Sequence, residues 1–395
     1  MTSQKTSTIS TTLFAIAVFL LAINLRPAII AVGPVIEIVQ KALQTTPIMM
    51  GVAGTLPVFA FAICSPFIAT LARRYSAEKT ILASLIIIGI GCIVRSSFSN
   101  IWSVLLGTFI LCAGIAVGNV LLSSVIRHHR PQYVERLTAL QMLAFSLSSA
   151  IASGVAVPMA HWFNWQTALG IWGITVIPAF IVWWKLGQQT RPQNQKTSEQ
   201  PQKPVWQGNI WKSPLAWKIS IYMGLQSMMF YTLANWLPAL ISARGFSEIQ
   251  AGGYGTIFQF VAFPTALALA PLAERFSIRY LLPSSCLFIL VGFIMLWYAP
   301  TSLMWLSTTL LGIGGCASFT FCLMLFAIRG KDAAQSAALS GMAQTVGYLI
   351  ASVGPVSIGY LYQLSGNWQM PIHAMTAIII IQLMLSVFAS KKAAL

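Results

Sequence analysis

Apolar residues run along this chain in blocks of about 20 or more, separated by short polar breaks, and twelve such blocks follow one another. A helix that crosses a bilayer needs about 20 predominantly apolar residues. The pattern therefore predicts spans over 12–36, 47–71, 79–98, 101–126, 137–160 and 164–185, then 215–242, 248–272, 279–298, 301–328, 335–362 and 370–390. Only one polar stretch is long, "GQQTRPQNQKTSEQPQKPVWQGN" at 187–209. Rich in Gln, Pro, Lys and Thr, it cannot bury a core and reads as a linker. It divides the chain into an N-terminal six-helix bundle at 1–186, a cytoplasmic linker at 187–212 and a C-terminal six-helix bundle at 213–395.

Composition agrees with the pattern. The 395 residues are 57% hydrophobic and only 8% charged, against about a quarter charged in a soluble domain. Water is not the solvent for most of this surface, so the fold class is an all-α, multi-pass membrane protein. The N-terminus begins like a signal peptide, but its apolar part runs on and lacks a small-residue cleavage site, so it reads as the first span.

The net charge of +16 acquires meaning from its placement. With the N-terminus inside, 19 of the 23 Lys and Arg residues fall on the same side as that terminus. The outer segments hold Lys41, Arg95 and Arg244, and the last is Arg26, within a span. Cytoplasmic loops retain basic residues, so both termini are expected in the cytoplasm and the protein in the inner (plasma) membrane. Basic residues show no aromatic interleaving of the kind that reads nucleic acid. The six cysteines, Cys64, Cys92, Cys112, Cys286, Cys316 and Cys322, lie in apolar runs without paired spacing. They read as small hydrophobes rather than as metal ligands or disulfides.

The two halves echo each other. "LARRYS" at 71–76 returns as "LAERFS" at 272–277, and "IASG" at 151–154 as "IASVG" at 350–354. "INLRPAII" at 23–30 returns as "NWLPALI" at 235–241, with Leu237 in the place of Arg26. Three repeats in the same order indicate related six-helix bundles, an arrangement expected of a transporter with its site between parallel repeats.

These segments resemble the major facilitator superfamily. "ATLARRYSAEK" (69–79) fits its Gly-x-Leu-Ala-Asp-Arg-x-Gly-Arg-Arg loop, with Arg73 in the Asp position, followed by Arg74, and Ser76 in a Gly position. "PLAERFSIRY" (271–280) keeps the acid as Glu274, followed by Arg275. The resemblance implies that these four residues belong to a conformational loop motif, with the usual acid missing from the first copy. "NLRPAIIAVGP" and "NWLPALISARGFS" are similar to the cyanate permease and 2-nitroimidazole transporter-like branch.

Arg26 lies roughly 20 Å along its span, near the midplane. Charge there is costly and usually functional. Acids that could answer it are few: Glu37, Glu78, Glu135, Glu199, Glu248, Glu274 and Asp332 are the full set, and six of them fall in loops or at helix ends. The guanidinium either pairs with buried acceptors as a structural group or binds an anionic substrate with its planar fork of donors. Other candidate substrate-binding residues are Asn24, Asn119, Gln141, Gln226, Tyr231, Asn235, Trp236, Gln259 and Gln344, all polar or amphipathic side chains on spans that line the cavity in this fold. Asn24, Asn235 and their neighbouring prolines also read as architecture, and each Gln as an interhelical hydrogen bond. Glycines in spans four, ten and eleven predict close helix packing.

Energy supply is equally constrained. No acid lies mid-span, so Glu37 at the outer end of span one is the candidate for proton coupling; otherwise a proton rides on a weak-acid substrate, or there is no coupling. There is no Walker-type loop, no His-Glu-x-x-His and no Gly-x-Ser-x-Gly, and one Asp cannot form a dyad, so neither an enzyme nor an ATP-driven pump is expected. No cofactor or metal is called for. A monomeric carrier in lipid, moving a small anion or polar anion-like solute, is one expectation; an efflux carrier for hydrophobic drugs with Arg26 structural is the other.

Overall fold

The computed structural model describes residues 10–189, 209–330 and 333–390. Both termini and most of the expected linker lie outside the described residues. Helices α1 (Thr11–Ala22), α2 (Pro27–Ile30), α3 (Ile36–Ala42), α4 (Pro47–Tyr75), α5 (Ala77–Ser97), α6 (Ile101–His129), α7 (Val134–Trp162), α8 (Trp165–Gly170) and α9 (Val176–Gln189) form the first half. The second half contains α10 (Pro214–Ser242), α11 (Glu248–Phe260), α12 (Ala262–Arg275), α13 (Ile278–Tyr298), α14 (Met304–Arg329), α15 (Ala333–Ser365) and α16 (Gln369–Ser390).

Eleven helical segments among the described residues are long and apolar enough to cross a membrane. The seventh span, α10, is long enough at 29 residues but too polar for that company, because Gln226, Ser227, Tyr231, Thr232 and Asn235 interrupt its apolar run. Its neighbours explain how it survives. Helix α10 packs against α11, α14, α15 and α16 and touches α3 and α4 of the other half, so 21 of its 29 residues are buried. Polar groups on this helix face protein, where lipid would penalise them.

Three spans expected as single helices are broken. The first stops at Ala22 and resumes at Pro27, and α3 follows as a separate short helix. Pro27 has no N–H to donate and displaces the preceding residue from helical geometry; Arg26 accordingly has φ −127°. The sixth span breaks between α8 and α9, and the eighth at Val261. There, Pro264 removes a backbone donor and its ring crowds the Phe260 carbonyl.

Breaks inside a membrane must be repaired. Asn24 Nδ2 donates to the Leu20 and Thr175 carbonyls at 2.7 and 3.0 Å, while its Oδ1 accepts from Thr175 Oγ1 at 2.8 Å. Thus the gap in span one is tied to the gap in span six. Arg95, counted among the outer loops from its position in the sequence, lies in the last turn of α5 and is 0% exposed. It donates to the Ala28 carbonyl at 2.6 Å and to the Leu169 carbonyl at 2.5 Å, one in each broken span.

The halves meet at the Lys41 end. One apolar cluster there takes Val35, Met50 and Val157 from the first half and Leu240, Ala251 and Ile358 from the second. Thr55 Oγ1 donates to the Ser352 carbonyl at 2.8 Å, and Ser153 Oγ to that of Gly252 at 3.2 Å. Gly33 lies against the Ala234 carbonyl, and Gly51 against the Pro355 carbonyl, so closely that a Cβ would collide with either oxygen. Toward the Arg127 end the core around Phe14, Ile81 and Leu122 takes Met228, Tyr231 and Ala351 from the second half, whereas that around Leu282, Cys322 and Leu325 draws on the second half alone.

The loop repeats also differ physically. Ser277, in the second copy, has φ −68°, whereas Ser76, in the first, is held at φ 76° and ψ 154°. That conformation belongs to glycine and costs other residues about 1–3 kcal/mol. Ser76→Gly is expected to raise stability by about 1 kcal/mol after loss of its hydroxyl cap on Lys79, measured as a higher melting temperature of the purified protein.

Candidate functional site

The break before Pro27 turns Arg26 out of its own helix and toward the second half. Its guanidinium stands 5.0 Å from the centre of the Phe145 ring on α7 and 5.9 Å from that of Phe230 on α10, and it interacts with the Tyr231 hydroxyl. Phe61 on α4 meets Tyr231 and Tyr348 edge-on at 6.5 and 6.1 Å. Thus a cation from the first half sits in an aromatic enclosure drawn from both halves. Rings attract the cation through their faces but leave its N–H donors largely uncommitted.

Other deeply placed arginines behave differently. Arg95 caps two carbonyls; Arg244 donates to the Trp297 carbonyl and, at 2.6 Å, to that of Ala299. Arg329 donates to the Ser390 carbonyl at 2.8 Å. Each holds helix ends together. Among the described residues, Arg26 has neither a carbonyl nor a carboxylate of this kind, and the ion pairs found, Lys41–Glu248, His129–Glu78 and His161–Glu248, do not include it.

Beyond Tyr231, a narrow cleft opens between the halves, lined by Ile29, Pro57, Thr108, Tyr231 and Asn235 among others. Two polar atoms there have no partner: Asn235 Nδ2 and Thr108 Oγ1. Asn235 fits into this cleft because Gly54 on α4 has no side chain; a Cβ there would run into its amide.

The structure therefore brings Arg26, Tyr231 and Asn235 together. Asn24 is fully engaged in bridging the two broken spans. Trp236 is 2% exposed and donates to the Pro355 carbonyl at 2.9 Å, tying α10 to α15. Gln226 is buried and donates to the Gly315 carbonyl at 3.4 Å, and Gln344 reaches Ser340 on its own helix at 2.9 Å. Gln141 and Gln259 are buried, the former with an unpartnered Oε1, and Asn119 is half-buried. None of these joins the Arg26 enclosure in the contacts described. Glu37 lies on α3 near Lys41 and Glu248 at the closed end. In the loop motif, Arg74 covers the Tyr75 ring at 5.3 Å and Glu274 and Arg275 are exposed, while the Arg73 side chain lies outside the described residues. No group of three or more His, Cys, Asp or Glu among the described residues is placed to hold a metal.

Arg95 and Thr108 are missing from the sequence-based set. Arg95 follows an apolar run and looks like a loop cation; only its carbonyl partners, 67 and 74 residues away, reveal its place. A single Thr within an apolar block has no periodic signal at all.

Residues 8–355 match the model of the Major Facilitator Superfamily. The chain belongs to that superfamily. It is 34% identical over 370 residues to the uncharacterized transporter YycB of Bacillus subtilis, covering 92% of this chain and 90% of the relative. Identity to the 2-nitroimidazole transporter of Escherichia coli is 33% over 374 residues, 94% and 93% of the two chains. The cyanate transport protein CynX of the same organism is 25% identical over 360 residues, 89% and 90%. Among solved structures, a bacterial homologue of the human lysosomal transporter Spinster, inward-facing and occupied, superposes with a TM-score of 0.78 at 16% identity, covering 96% of each chain. This major facilitator is thus a multi-pass small-solute transporter, not an enzyme, with two six-helix bundles.

Replacing Arg95 by Met should leave the Ala28 and Leu169 carbonyls without donors. Each charge-assisted bond to a buried group contributes about 1.5–3 kcal/mol. A stability loss on the order of 3 kcal/mol is expected, seen as a lower melting temperature and reduced yield of monodisperse protein.

Proposed function

We propose that this transporter carries a small anion or polar anion-like solute by alternating access, with Arg26 as the counter-charge. The observation behind this reading is the contrast among its arginines: three cap helix-end carbonyls, whereas Arg26 meets neither a carbonyl nor a carboxylate among the described residues and sits in an aromatic enclosure. A half-buried guanidinium at membrane depth with no acid beside it suits an anion. The relatives are named for 2-nitroimidazole, a small heteroaromatic, and for cyanate, a small anion.

The excess of basic residues at the Arg127 end supports an orientation with that end in the cytoplasm and the Lys41 end outside. In that orientation the contacts at Gly33 and Gly51 form a closed outer gate, which the alternate state of the cycle separates. The bundles at 1–186 and 213–395 are the rocking units, joined through 187–212. Because both halves of one chain build the enclosure, a monomer suffices.

Thermal-shift measurements on purified protein with cyanate, benzoate and 2-nitroimidazole, run beside Arg26→Ala, test the reading. Stabilisation by an anion, lost at least tenfold in affinity in a variant that still folds, is the expected result. A variant that binds hydrophobic compounds and anions as the wild type does would instead mark an efflux carrier with Arg26 structural.

Glu37 is proposed as the coupling carboxylate. Burial pushes its pKa above the ordinary 4.5, Lys41 pulls it down, and Glu248 pushes it up. A carboxyl raised on folding stabilises the fold at low pH, and that stabilisation fades as pH rises through the raised value. Glu37→Gln should flatten the stability profile just above pH 4.5. It should also abolish the pH dependence of uptake, whereas a proton carried by the substrate itself would leave that dependence intact.

A further inference from the structure

A buried amide with nothing to donate to is costly, and here two unsatisfied groups share one cleft. Asn235 is 5% exposed and Thr108 1%, and Asn235 Nδ2 and Thr108 Oγ1 both lack partners. They approach from opposite halves, Thr108 from α6 and Asn235 from α10, and the gap between them opens beside Tyr231. Tyr231 in turn reaches Arg26. One helical turn, about 6 Å, separates Tyr231 from Asn235 along α10. That is about the length of a para-substituted benzene ring.

We propose that Asn235 and Thr108 form a second, hydrogen-bonding subsite, which takes an acceptor group at the far end of a small planar aromatic anion whose charge rests at Arg26. This rests on the reading of Arg26 as the counter-charge and narrows the substrate class. Two donors, an amide N–H and a hydroxyl, suit a nitro or carbonyl oxygen. The cleft's other walls, Ile29, Val32, Pro57 and the Tyr231 ring, are apolar and suit the face of a flat ring. The ligand would thereby bridge the halves: Arg26 and Thr108 hold it from the first, Tyr231 and Asn235 from the second. Gly54 admits the Asn235 amide only while α4 and α10 are in contact, so the subsite is complete only with the Lys41 end closed.

Isothermal titration of the full-length protein in nanodiscs with benzoate and 4-nitrobenzoate tests the assignment. These ligands share the carboxylate and ring and differ in the distal acceptor. Wild type is expected to prefer 4-nitrobenzoate about tenfold. Thr108→Val, which keeps the side-chain shape, and Asn235→Ala should each reduce that preference, read as the ratio of the two affinities, to threefold or less. Equal affinity of wild type for both ligands, with both lost in Arg26→Ala, would leave Arg26 as the anion site and overturn the subsite, its cleft then holding only water. A tenfold preference that survives both substitutions would place the distal contact elsewhere and overturn it too. If neither ligand binds wild type, the Arg26 reading fails for aromatic anions, and the subsite fails with it.

Discussion

Hydrocarbon offers no hydrogen bonds, and the architecture follows from how this chain answers that constraint where its helices break. Span one opens at Ile23–Arg26 and span six between Gly170 and Val176, and each gap frees backbone groups at membrane depth. Asn24, Thr175 and Arg95 join the gaps to each other. A cation fully buried in α5 is tolerated because carbonyl dipoles surround its fork. Pro27 makes the break and this repair lets it persist at membrane depth, with the Arg26 guanidinium turned into the space between the halves.

The same motif yields different structures in the two halves. Asn24 and Pro27 sit at a broken helix; Asn235 and Pro238 sit within a continuous one. Pro238 still removes a donor, leaving the Ala234 carbonyl without its helical partner. That oxygen faces Gly33 across the interface, so a weak Cα–H contact replaces the lost bond. Leu237, the counterpart of Arg26, is 1% exposed in the joint apolar core. Divergence at one position has given one repeat the charge and the other the packing.

Much of this was legible in the chain. Block length revealed the spans, and the repeat revealed the paired bundles, because membrane thickness and period act on composition directly. Arg26 stood out because an arginine in an apolar run is rare. What escaped detection depended on partners distant in sequence. Arg95 reads as a loop cation until Leu169 is brought beside it, and Trp236 as a substrate-binding ring until the Pro355 carbonyl receives its N–H. Asn24 and Asn235 are indistinguishable as letters. Only the fold shows that one amide is fully bonded while the other is left open. Breaks in spans one, six and eight were hidden for a related reason, since prolines are tolerated in membrane helices whenever neighbours satisfy the freed groups.

The proposed role of Arg26 also has an electrical consequence. In the proposed alternating-access cycle, with the Lys41 end outside and closed, the membrane potential falls largely across that end and Arg26 shares the potential of the cell interior. When the gates exchange, the same charge moves to the exterior potential without travelling far itself. A full elementary charge crossing the field changes energy by about 2.3 kcal/mol per 100 mV. An inside-negative potential therefore draws the empty carrier toward the orientation closed at Lys41, whereas a carrier neutralised by a monovalent anion is indifferent to it. Voltage acts on the unloaded half of the cycle alone.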